Sequence, residues 1–464
     1  LLMYPRASTG QEAIGSMGTD TPLACLSDKP QLLFNYFKQL FAQVTNPPLD
    51  AIREELVTSL FTYLGRAGNL LAEEPENAKL IKLKQPILTI AEVAKLKAID
   101  SDGMKGVTLS TLFKVSEGEE GLKSALDALL ASATEAVNQG ATVLILSDRG
   151  VGPDVAPIPS LLACGAVHHH LIRQGIRTNT SIVIESGEPR EAHHFCCLLG
   201  YGAGAINPYL ALETIADLHR DAFFPPDLAL ESAVKNYIKA ANKAILKVAS
   251  KMGISTVQSY RAAQIFEAIG LGREVIENYF TSTASRIGGM GLEVIARESL
   301  LRHRRAFPPI EVQTEDMLDA GGQYQWRRDG EYHQWNPVSV AKLQQDVRAD
   351  RPATGDARAD SERSPAMFRD DAWKAFKEYS KAVDDESRNR ATIRGLLQFR
   401  FAAEPVPLEE VEPASAIVKR FATGAMSFGS ISKEVHETLA IAMNRIGGQS
   451  HSGGGGGEAG RLPR

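Results

Sequence analysis

Two short runs limit what this chain can fold into more than anything else in it. Thr142-Val-Leu-Ile-Leu146 and Ser181-Ile-Val-Ile184 are continuously apolar and rich in β-branched residues. Such runs suit strands covered on both faces, as in parallel sheets, rather than strands with one wet face. Helical stretches surround them: Leu122 to Asn138 stopped by Gly140, Pro159 to Arg173 stopped by Gly175, and Arg190 to Leu199 stopped by Gly200. Strands that alternate with helices of this length predict an α/β fold, a parallel βα-repeat central domain that is open or barrel-like.

The flanking sequence extends this plan. Leu32 to Phe41 and Ala51 to Thr62 read as helices, the second capped by Asp50, and Ala229 to Lys251 reads as a long helix ended by Gly253. Ser259 to Ala268 reads as a further helix closed by Gly270, and Ser285 to Leu292 as a glycine-rich loop entering a helix at Glu293. Apolar residues thin out in the Asp/Arg/Ala/Pro-rich stretch 346–370, which predicts a flexible polar insertion. Trp373 to Val383 and Ala391 to Phe399 then read as a helical connector over 371–410. In 411–464, Val418 to Met426 reads as a strand entering a loop, and Ser432 caps a helix that Gly447 ends. The expected domains are therefore residues 1–345, 346–370, 371–410 and 411–464.

With a net charge of −5 on 464 residues, composition predicts no general attraction to nucleic acid or to an acidic membrane. Four irregularly spaced cysteines, Cys25, Cys164, Cys196 and Cys197, fit buried thiols in a reducing compartment, so the expected location is cytoplasmic. The sequence opens without Met and stops in a glycine-rich run, which predicts a piece cut from a longer chain.

Several clusters invite a chemical reading. Consecutive helical residues point about 100° apart, so His168, His169 and His170 cannot share one ion; His193 and Cys197 do share a face, and no metal is expected at either place. Gly200-Tyr-Gly-Ala-Gly204 follows a helix, the reverse of a dinucleotide-binding context, and reads as a helix stop and tight turn. Asp148, Arg149, Glu185, Glu188 and Arg190 follow the two strands, where α/β folds place chemistry, but show no nucleophile and base pair. They read as an inter-domain polar network.

The longest informative string is Thr423-Gly-Ala-Met-Ser-Phe-Gly-Ser-Ile-Ser-Lys-Glu-Val-His-Glu-Thr-Leu-Ala-Ile-Ala-Met-Asn-Arg-Ile-Gly-Gly448. It resembles the opening of the flavin-binding barrel of the glutamate synthase large subunit. Gly15 to Leu23, Phe37 to Pro48, Ile158 to Leu212 and Ala249 to Tyr260 resemble that family's central domain. The resemblance implies a central domain followed by the first βα unit of a truncated TIM-type FMN barrel. In such enzymes glutamine-derived ammonia reaches 2-oxoglutarate through a tunnel, and the resulting 2-iminoglutarate is reduced to glutamate.

It also implies FMN and a 3Fe-4S cluster in the parent, neither held by this piece alone. The implied partners are the remaining domains of the large subunit, with ferredoxin or a pyridine-nucleotide-dependent small subunit as electron donor. A plastid location follows if the source is a photosynthetic eukaryote. Gly424, Ala425, Met426 and Ser427 match the loop beside the flavin ring, while no catalytic residue is implied. Gln449 to Glu458 stands where the family has Lys-Ser-Asn-Thr-Gly-Glu-Gly-Gly-Glu-Asp, which makes Glu458 the candidate for the 2-oxoglutarate or tunnel contact. Two other readings stay open, a stand-alone α/β interaction scaffold and a different FMN-barrel oxidoreductase.

Overall fold

The computed structural model describes residues 2–13, 18–40, 49–50, 52–69, 71–101, 103–308, 320–349, 370–388 and 392–451. They fall into two compact units, Leu1–Leu396 and Leu397–Arg464.

In the first unit the two apolar runs become neighbouring strands of one sheet. The repeat runs β1 (Met104–Ser110), α1 (Gly118–Asn138), β2 (Val143–Ser147), α2 (Ser160–Arg173), β3 (Ser181–Glu185), α3 (Ala192–Gly200) and β4 (Ala203–Asn207). β1 to β4 lie side by side in chain order and all parallel, with Asp100–Ser101 antiparallel at the β1 edge. Each crossover advances one place in the same direction, so right-handed connections keep α1, α2 and α3 on one face.

The strand period of two then divides the sheet's side chains. Leu144, Leu146, Ile182, Ile184 and Ile206 join the large core with these helices. Val143, Ile145, Val183 and Ala205 face the other way, onto Leu64, Leu88, Val93 and Leu96. Residues 143–147, 181–185 and 203–207 are buried without exception, as expected of strands covered twice. Beyond β4 a single parallel bridge pairs Ile206 with Ile87, and the described strands form an open sheet.

After α4 (Tyr209–Arg220) and α5 (Leu230–Lys251), β5 (Phe266–Leu271) and β6 (Ala284–Met290) pair in parallel; α6 (Arg273–Tyr279) connects them and α7 (Leu292–Ala306) follows. Three expectations fail here. The described part of Leu32 to Phe41, which ends at Leu40, is a 3-10 turn, Leu33–Tyr36, and a strand, Phe37–Gln39, because Phe37 to Gln39 pairs antiparallel with Phe266 to Ala268. Ser259 to Ala268 is likewise no helix: a short turn, Val257–Tyr260, precedes β5. Ser285 to Met290 is strand rather than loop, with Ile287 held opposite Ile269.

Asp50 does cap its helix, its Oδ1 accepting from the backbone N–H groups of Ile52 (2.8 Å) and Arg53 (2.9 Å), but that helix is only Arg53–Val57. Asp370–Glu386 is helical as expected, whereas the described part of 391–399 holds only the turn Arg394–Leu396. Most of 346–370 lies outside the described residues.

In the second unit, Ala414–Ile417 and Val418–Arg420 are helical turns, so the expected strand from Val418 is confined to a short extended stretch. Ala422 and Gln449 form a parallel bridge, with Gln449 N–H donating to Phe421 O (2.8 Å) and Thr423 N–H to Gln449 O (3.0 Å). The helix Lys433–Ile446 is the crossover between these partners. Ser432 Oγ caps it by accepting from Val435 N–H (3.4 Å), and Gly447, with φ +78°, ends it in the left-handed conformation that glycine adopts without strain. The result is one small βαβ unit.

No described helix is long and apolar enough to cross a membrane.

Candidate functional site

The strands of the first unit deliver their polar residues to one edge, because β2 and β3 end in Ser147-Asp148-Arg149 and Glu185-Ser186-Gly187-Glu188 in register. Glu185 is the hub. Its carboxylate accepts from Ser147 Oγ, from Lys97 Nζ (2.7 Å) and from Arg149 Nε (3.1 Å). Burial disfavours its anion, yet the hydrogen bonds from Lys97 and Ser147 and the charges of Lys97 and Arg149 outweigh that and hold it below the usual range. Arg149 also reaches Glu213 (3.0 Å) and stacks its guanidinium 4.1 Å from the Tyr209 ring centre.

Asp148 has the opposite character. It accepts from Ser186 Oγ, Gly187 N–H (3.1 Å) and the Tyr209 hydroxyl, and no cation among the described residues neutralises it. Burial pushes it up to about 6, against the opposing pull of Ser186 and Tyr209. Glu188 instead caps α2, accepting from Ser160 N–H (2.7 Å) and Oγ (2.8 Å), with Arg302 at 3.3 Å. Among the described residues, the partners named for these groups all lie within the first unit. The network offers no nucleophile and base pair.

The histidines are engaged separately. His168 Nδ1 accepts from Arg177 Nε (2.9 Å), His170 Nε2 pairs with Thr134 Oγ1 (2.8 Å), and His193 Nε2 donates to Phe34 O (2.9 Å) with Cys197 Sγ at 3.6 Å. Among the described residues, no three His, Cys, Asp or Glu side chains form a group that could hold a metal. In the 200–204 run a Cβ on Gly202 would lie 2.2 Å from His168 Nδ1 and one on Gly204 2.7 Å from Leu64 Cδ2. Close packing at the start of β4 explains those glycines.

The loop Gly424 to Ser427 sits at the C-terminal end of the bridged Phe421 to Thr423 segment in the second unit, the position at which parallel α/β units meet ligands. Met426 N–H donates to Gly424 O (3.1 Å), turning the chain sharply, and Ser430 closes a 3-10 turn onto Ser427 O. Unlike Gly202 and Gly204, Gly424 and Gly429 would carry a Cβ with no atom of another described residue within 4 Å. Neither has the positive φ that demands glycine. Nothing within the described chain requires a missing side chain there. Glu458 lies outside the described residues.

Comparison with known proteins identifies two regions of the chain. Residues 1–272 match the family model described as the glutamate synthase central domain, and residues 361–463 match a conserved region in glutamate synthase. The chain is 48% identical over 454 residues to the glutamate synthase [NADPH] large chain of Bacillus subtilis, covering 98% of this chain and 28% of that one. It is 44% identical to glutamate synthase [NADH] of Schizosaccharomyces pombe, covering 100% and 21%, and 42% identical to ferredoxin-dependent glutamate synthase 2 of Synechocystis, covering 98% and 29%. The chain thus spans between a fifth and a third of the length of these relatives. A solved mandelate oxidase mutant overlaps 53% of this chain and 90% of its own at TM-score 0.30 and 11% identity, too slight a likeness to bear on fold or ligand. On the family models and these relatives together, the chain belongs to the glutamate synthase central-domain family.

Proposed function

We propose that this chain is the central α/β domain and the opening βα unit of the FMN barrel in a glutamate synthase large subunit, with domains 1–345, 346–370, 371–410 and 411–464. The parent would transfer glutamine-derived ammonia to 2-oxoglutarate and reduce the product to glutamate. One observation carries the flavin part: two glycines, Gly424 and Gly429, keep a strand-end loop bare where no atom of the described residues needs the space. A flat ring lying against exposed backbone is a reason to keep it bare.

The described residues fit FMN to that extent. Gly424, Ala425, Met426 and Ser427 would lie along the ring, and the bound flavin would supply electron transfer to the substrate. The role of these residues is to position the ring and shield one side of it from water. The 3Fe-4S cluster has no such support here, since Cys164, Cys196 and Cys197 are buried in the first unit and no metal-binding group is formed among the described residues. The first unit, with its saturated polar edge, serves as a structural wall against the remaining domains. Relatives named for NADPH, NADH and ferredoxin match at similar identity, so this segment does not set the electron donor.

A chimera tests the reading. Replacing the matching segment of the Bacillus subtilis large chain with this one should preserve flavin content and glutamate formation from glutamine and 2-oxoglutarate. Gly424→Val in that chimera should lower flavin content. A folded chimera without flavin or synthase activity would overturn the proposal.

A further inference from the structure

Arg177 and Arg261 are part-buried, and neither meets a carboxylate among the described residues. Arg177 donates from Nε to His168 Nδ1 (2.9 Å), from Nη1 to Thr180 O (2.7 Å) and from Nη2 to Gly202 O (2.9 Å). Arg261 donates from Nη2 to Gln258 Oε1, and its Nη1 lies 3.2 Å from where a Cβ on Gly204 would stand. The two heads therefore flank residues 202–204, at the edge where β3 and β4 begin, opposite the Glu185 edge.

Arg177 spends its hydrogen bonds on neutral acceptors, and Arg261 Nε and Nη1 meet no acceptor among the described residues. Arg261 is also set in a constrained turn, since Ala262 (φ 59°) and Gln264 (φ 54°) both take the left-handed conformation that side chains rarely adopt. Burial and the neighbouring Arg261 charge push Arg177 down to about 10, and among the described residues no carboxylate offsets either effect. Two guanidiniums drawn out of water beside each other without a counter-charge are an unfavourable arrangement that an anion relieves.

We propose that the β3–β4 starting edge, at Gly202 to Gly204, is an oxyanion site in which a phosphate or a carboxylate bridges Arg177 and Arg261. Arg261 supplies charge and its remaining N–H hydrogens, and Arg177 does the same beside it. The site is independent of the flavin loop.

Thermal unfolding of the full chain in sodium phosphate, in sodium succinate and in sodium chloride at matched ionic strength tests this. Phosphate or succinate should give a saturable rise of about 3–5 °C beyond chloride, and the lower midpoint identifies the preferred oxyanion. Arg261→Gln should melt higher than the parent in chloride, through relieved repulsion, and should lose the saturable rise. Arg261→Lys keeps the charge without the fork and should shift the midpoint at least tenfold to higher anion. Equal responses to all three salts, or an undiminished rise in Arg261→Gln, would overturn the site.

Discussion

The two units of this chain use the same βα grammar and reach opposite results. In Leu1–Leu396 the strands β2, β3 and β4 are covered on both faces, and side chains such as Leu144, Ile182 and Phe195 have no exposure left. In the described part of Leu397–Arg464 the only buried apolar residue is Ala440, while Phe399 is 88% exposed and Leu408 84%. A fully buried leucine or phenylalanine contributes roughly 1.5–3 kcal/mol, so the first unit has a core to hold it and the second has almost none. One βα unit cannot cover its own apolar face. Its stability has to come from surfaces that pack on it.

The sharpest way to break this comparison is to insert volume into both units. A Cβ on Gly106 in β1 would stand 2.1 Å from Leu96 O, a backbone atom that cannot step aside. Gly106→Val should cost about 3 kcal/mol or more in denaturant unfolding, by overpacking the sheet against the helix Ile90–Lys97. Gly424→Ala, with no neighbour within 4 Å, should leave the same measurement within about 0.5 kcal/mol. A comparable loss in both variants would mean that the second unit is packed in solution.

The next largest effect is on pH dependence, and its sources lie in the first unit. Burial, with the Arg177 charge adding, lowers His168 to about 2, and burial lowers His193 to about 4, from an unfolded value of 6.5. Both are folded as neutral rings, so the stability they contribute is full above 6.5 and is lost as pH falls, through about 4 for His193 and toward about 2 for His168. Asp148 runs the other way. Its folded value of about 6 exceeds its unfolded 3.8, so its contribution is full below 3.8 and lost as pH rises through 6. Asp148→Asn should therefore raise stability at pH 7 by roughly 2–3 kcal/mol and change little at pH 4. A gain of equal size at both pH values would show that Asp148 does not hold its proton as the buried geometry implies.

What was legible in the sequence follows from the same contrast. β2 and β3 announce themselves because burial on both faces leaves only Val, Leu and Ile at the centre. β4 is equally buried but reads Ala-Gly-Ala-Ile-Asn, since Leu64 and Arg261 crowd Gly204 and exclude larger side chains; its small residues hide the strand. The apolar pattern of Leu32 to Phe41 reads as a helix, whereas pairing with β5 makes Phe37–Gln39 a strand. Long-range pairing outweighed local pattern. The cap at Ser432 and the stop at Gly447 were legible because both are local events, decided within one turn. Ser186 and Tyr209 as partners of Asp148 were not, because register and a crossover bring them together from 38 and 61 residues away.

The smallest expected effect concerns the flavin itself. The loop Gly424 to Ser427 offers bare backbone at a strand end, and Gly429 extends that surface, but as proposed above these residues would line only one side of a flat ring. Tight binding also needs burial of most of the ligand and donors for its phosphate, which in barrels of this type come from loops after the seventh and eighth strands. One small βαβ unit provides neither. Its exposed Met426 and Phe428 can add a little apolar contact, enough for weak association and short of stable capture. Titrating FMN with the chain should therefore show no saturable fluorescence quenching at micromolar concentration, and no yellow colour should follow the protein through purification. Saturable quenching that disappears in Gly424→Val would show that the second unit completes a flavin site from residues in this chain, and the contrast between the two units would then be one of packing alone.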